Sequence, residues 1–175
     1  MAGLALLVLG GAVLGLWRDK SEPEPPSVAG SFRTVAADWL WLQTNLAWEA
    51  RDPTRVRRLI DLTLRADPGS RYFRLNSARM LAYDLPAWQR EAEPGVPVAV
   101  RARRRVAAAE EALRLLEFGL RSPGDAALHV EMGSICLYAL GDRARAAECF
   151  RQAAALPDAP DYAGRIFERL QTVKR

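Results

Sequence analysis

Four positions late in the chain recur after one constant shift. Ala112, Leu116, Gly119 and Pro123 map onto Ala146, Phe150, Ala153 and Pro157, each displaced by 34 residues, with Gly141 and Asp142 between the two sets. A fixed period of this length marks a stacked supersecondary unit, because a unit that cannot bury its own apolar face recurs until neighbours bury it. Residues at steps of four and three share one helix face, and Gly-Asp is a helix stop followed by a helix cap. The period therefore predicts antiparallel helical hairpins.

The rest of the chain agrees. Ala, Leu, Arg and Glu dominate and alternating Val/Ile/Thr runs are absent, so the expected fold class is all-α. Helices are expected over 34–50, 54–66, 70–84, 99–120, 125–140, 142–156 and 160–173, with Asp52-Pro53 and Asp67-Pro68-Gly69 closing the first two. Residues 85–98 carry Pro86, Pro94 and Pro97 and are expected to be irregular. Pro68 to Pro123 spans 55 residues, one period plus 21, so this stretch is either an insertion or an elongated hairpin connection.

Residues 127–157, with Ser134, Leu137, Gly141, Asp142, Ala146, Phe150 and Ala153, resemble a tetratricopeptide repeat (TPR). Val130 stands where that family has a large aromatic, and Pro157 arrives one residue early. Asp52, Ile60 and Pro68 fit an earlier unit, and Ala78 and Leu81 open another. The run ADWLWLQTNLAWEA, followed by DPGSRYF and LAYD, is similar to bacterial membrane-anchored repeat proteins. The resemblance covers residues 31–157 and concerns the fold.

It implies a TPR-like domain at 31–175 of about three hairpins plus a capping helix, with partners bound along the concave face of the first helices. Carried onto this sequence, those positions are Asp38, Trp41, Asn45 and Trp48 in the first hairpin. Tyr72, Leu75, Arg79 and Tyr83 follow in the second, and Glu131, Ile135 and Tyr138 in the third. Trp39, Leu40, Trp41 and Leu42 are consecutive, so the first helix is apolar all round, and part of its tryptophan content is expected to pack in a core or an interface.

Residues 1–17 hold no charged side chain and are rich in Leu and Val, the short end of a membrane-spanning length. Trp17, Arg18 and Lys20 supply an interfacial flank. A basic n-region and a small-x-small cleavage site are both missing, which favours a single-pass transmembrane anchor in the lipid bilayer over a cleaved signal peptide. Gly11 and Gly15 form a small-xxx-small pair that lets another helix approach in lipid. Residues 18–30, with the Pro-rich run SEPEPP, are expected to be a tether. Arg18 and Lys20 are offset by Asp19, Glu22 and Glu24, so the flank assigns the domain to neither side of the membrane.

The chemistry-bearing residues are few. Net charge is +4 and the basic residues are arginine except for Lys20 and Lys174. The densest basic run, Arg101 with Arg103, Arg104 and Arg105, lacks interleaved aromatics, so it reads as a solvated helix face and a nucleic acid partner is disfavoured. His129 has no second His to share a metal. Cys136 and Cys149 sit in apolar helical patterns and are expected as buried thiols, which a hairpin could bring together. Glu110 and Glu111 read as a solvated helix face. No phosphate loop or nucleophile elbow is present. The expectation is a protein with no enzymatic activity and no cofactor that binds other protein subunits, integral membrane proteins among them, as a scaffold or as a permanent accessory subunit.

Overall fold

The computed structural model describes residues 28–120 and 124–172. The chain divides into two units, 1–33 and 34–175. The expected anchor at 1–17, with Gly11 and Gly15, lies outside the described residues, as does the tether up to residue 27. The remaining tether residues, 28–30, are helical.

Among the described residues eight α-helices follow in order: α1 Val28–Glu49, α2 Pro53–Ala66, α3 Arg71–Arg79, α4 Leu85–Ala92, α5 Val98–Gly119, α6 Ala126–Ile135, α7 Arg143–Ala154 and α8 Tyr162–Thr172. π-Helical turns, Met80–Asp84 and Cys136–Leu140, extend α3 and α6. Among the described residues there is no strand, and no helix is long and apolar enough to cross a membrane.

The helix starts are written in the sequence. Asp52, Ser70, Asp125 and Asp142 each accept a hydrogen bond from a backbone N–H in the following first turn, which satisfies donors that the helix leaves orphaned. Gly141 sits at φ 71°, the left-handed conformation that closes the Cys136–Leu140 turn, where glycine carries no Cβ penalty.

The stretch 85–98 departs from the irregular segment expected of it. The chain continues from α3 through the Met80–Asp84 turn into α4, and only residues 93–97 leave the helix. A proline inside an α-helix loses a hydrogen bond and presses its ring on the carbonyl four residues back. Here the preceding turn is π-helical and the Leu85 N–H donates to the Met80 carbonyl, so the wider turn accommodates Pro86. The 21 extra residues thus form a longer hairpin: α5 runs 22 residues against 12 for α7.

One core joins α1 to α7. Ala112 and Leu116 on α5 are buried, as are Ala146, Phe150 and Ala153 on α7, so these positions linked by the period occupy enclosed sites on two helices separated by α6. Gly119 is half-buried against the Arg74 side chain and Leu128. Pro123 lies outside the described residues. A smaller cluster of Ala126, Ala153 and Ala163 seats α8 on α7, and Leu170 reaches the main core. Glu110 and Glu111, expected as a solvated face, form ion pairs with Arg145 at 2.6 Å and with Arg57.

Candidate interaction surface

The eleven positions transferred from the repeat pattern fall into two groups by the contacts they make. In the first, Trp41 is buried, with its ring edge-on to Tyr72 at 5.9 Å and tilted against Phe73 at 5.4 Å. Such pairs add roughly 0.5–1.5 kcal/mol beyond the area they bury, so Trp41 ties α1 to α3 as a core residue. Trp48 donates its indole N–H to Asp84 at 2.7 Å and lies 5.9 Å from the Trp88 ring. Asp38 is exposed, and Asn45 and Leu75 are half-buried.

The second group centres on Glu131. Its carboxylate is enclosed, and it accepts from the Arg79 guanidinium at 2.8 Å (Nε) and 2.7 Å (Nη2). The hydrogen bond to Glu131 raises the Arg79 pKa. Burial, reinforced by the Glu131 charge, pushes the Tyr83 phenol well above its usual value, so it remains an O–H donor. Tyr138 is exposed, whereas Ile135 is completely enclosed in the core and presents nothing to a partner. The pair Arg79–Glu131 joins α3 to α6.

A different face of α1 stands open. Val35, Trp39, Leu42 and Leu46, at steps of 4, 3 and 4, are 66%, 58%, 56% and 49% exposed, whereas Trp41 is 8% exposed. Steps of this kind place the four side chains in one stripe along the helix. The opposite face, Ala37, Trp41, Thr44 and Ala47, is the one enclosed. The signal was in the sequence as a helix apolar all round, but periodicity cannot say which of two apolar faces the fold covers.

Two cavities accompany these features. One, of about 490 Å³, lies where α4 and the start of α5 meet the two π-helical turns, and Tyr83, Tyr138, Arg90, Arg101 and Arg105 are among its walls. The other, of about 460 Å³, lies between α2 and α5 and is walled by Ile60, Leu64, Arg74, Leu81, Leu115 and Phe118. Among the described residues no three His, Cys, Asp or Glu side chains converge in a way that would hold a metal ion. Cys136 and Cys149 are both free and buried, and contact with Cys149 together with burial pushes the Cys136 thiol up.

No protein-family model matches this chain, and no curated protein matches it.

Proposed function

We propose that this protein is a membrane-anchored, TPR-like accessory subunit that acts by holding a partner protein and carries out no catalysis of its own. The observation that supports this most is the open stripe Val35, Trp39, Leu42 and Leu46. Contiguous apolar surface of this kind costs solubility unless a partner covers it, and a straight helical stripe suits a helix of another subunit. The 34-residue correspondence, with its enclosed small and large residues on α5 and α7, supports the repeat reading. The uncharged run 1–17 supports the anchor, with Gly11 and Gly15 as its packing face.

The apolar stripe favours a lasting assembly over a transient peptide complex, because obligate interfaces are the more apolar ones. The test is purification of the full-length chain from solubilised membranes. A partner is expected at fixed stoichiometry, and Leu42→Glu with Leu46→Glu should release it while the helical circular dichroism and melting of the chain are unchanged. Gly11→Ile with Gly15→Ile should weaken the same association within the membrane. Absence of any stoichiometric partner, or retention of it by both double variants, would overturn the proposal.

A further inference from the structure

The segment that lengthens the second hairpin carries a chemistry of its own. Arg90 on α4 and Arg101 and Arg105 on α5 line the cavity of about 490 Å³. None of the three forms an ion pair among the described residues, whereas Arg104 on the same rim is paired with Glu93 at 2.6 Å. That pairing neutralises Glu93, the one carboxylate on the cavity wall among the described residues. The N-terminus of α5 adds to the positive field. Its cap residue, Pro97, offers no side-chain hydrogen bond, its first turn holds no acidic residue, and Val98 lies on the cavity wall. The amide end of a helix this long attracts negative charge. Tyr83 and Tyr138 also line the cavity, as do the apolar Ala82, Pro86 and Ala102.

We infer that this cavity is a binding site for an acidic, extended peptide segment of the partner protein, held by Arg90, Arg101 and Arg105 with Tyr83 and Tyr138. The inference rests on the partner-holding reading above and names the partner's chemistry. Spacing favours a peptide over a lone anion. Arg101 and Arg105 are four apart on α5, so they rise about 6 Å relative to one another. Carboxylates two apart on an extended strand are separated by roughly 6.6 Å, so alternate acidic residues meet successive guanidiniums, each able to bind in bidentate fashion. The cavity also has apolar lining, Ala82 and Pro86 among it, that a peptide's remaining side chains can cover and a hydrated headgroup or phosphate cannot. The site lies in the elongated hairpin and shares only Tyr83 and Tyr138 with the positions transferred from the repeat pattern.

The experiment is fluorescence anisotropy of a labelled peptide of alternating Glu and Thr, titrated with the full-length chain in detergent. Saturable binding is expected, weakening with added salt. Arg101→Glu with Arg105→Glu should weaken it by about tenfold or more, and Arg90→Gln should weaken it to a lesser degree. Arg103→Glu, a charge reversal on the same helix but off the cavity wall, should leave it nearly unchanged. Circular dichroism of each variant verifies the fold, and Arg90→Gln, the mildest change, keeps the test decisive if a charge reversal unfolds the chain. A peptide that does not bind, or an Arg103→Glu loss equal to that of the cavity variants, overturns the inference. So does binding to phosphatidylglycerol vesicles that depends on Arg101 and Arg105 when the peptide does not bind, because the occupant is then a membrane surface. If a stoichiometric partner still co-purifies in these cases, the holding role stands and only the acidic site falls. If no partner co-purifies but the peptide binds through Arg101 and Arg105, the cavity's chemistry stands and the holding role falls.

Discussion

At the scale of single residues, His129 makes a prediction with a definite sign. Its Nδ1 is buried with no hydrogen-bond partner among the described residues, and burial lowers its pKa from 6.5 against the opposing pull of Asp125. Well above pH 6.5 the imidazole is neutral in folded and unfolded chains alike and contributes nothing. As the pH falls below 6.5 the unfolded chain takes up the proton first, so stability declines until the folded imidazole also protonates, and is then level. His129→Gln should remove that decline. As the chain's one histidine, it gives a clean proton NMR titration, and a midpoint at or above 6.5 would contradict the account. The helix expected over 125–140 put this residue near a helix start, where it lies. The sequence held no sign of the orphaned nitrogen, which depends on which groups α6 meets in space.

At the scale of elements, the crossing of α6 and α7 is set by Gly133. A Cβ there would sit 2.8–3.1 Å from three atoms of the Phe150 ring, which is itself enclosed. Because the ring has no free space to move into, Gly133→Ala should destabilise the protein by about 1–3 kcal/mol through overpacking, read as a lower denaturation midpoint. A variant as stable as the parent would show that the two helices slide apart at little cost. The repeat resemblance includes the small residue Ser134 next to Gly133. Ser134 instead donates its hydroxyl to the Val130 carbonyl at 3.0 Å, and the close approach falls one residue earlier. Helix identity, caps and the Gly-Asp turn were legible because each is a local property. The exact meeting point of two helices was not, since it depends on the volume of the facing ring. The same limit explains α1, where Trp41 proved to be core and Trp39 open.

At the scale of the whole described domain, Arg74 holds three segments together. It is buried, donates to the Leu115 carbonyl on α5 at 3.0 Å and to the Pro68 carbonyl in the α2–α3 turn, and lies over the Phe118 ring at 5.5 Å. Arg74→Met keeps the stem and removes the donors, leaving two carbonyls deprived of a charged partner. A cost of about 1–3 kcal/mol is expected, seen in urea as a lower midpoint with unchanged slope. A variant that loses nothing would mean that water replaces the guanidinium. Nothing in the sequence singled out Arg74 from its many arginine neighbours, because its partners are backbone atoms 6 and 41 residues away. The all-helical architecture was legible from composition and from a single period, whereas the cavity at the elongated hairpin was not, since three prolines there suggested a loop. The π-helical turns carry a consequence for any comparison of sequences. Each inserts one residue into a helix without adding a turn, so positions after Met80 or Cys136 are displaced by one letter, about 100° of rotation, from where uninterrupted counting puts them. Aligned letter by letter with a helix lacking the turn, Tyr83 and Tyr138 would be matched to residues pointing elsewhere, and a faithful alignment opens a one-residue gap at each turn.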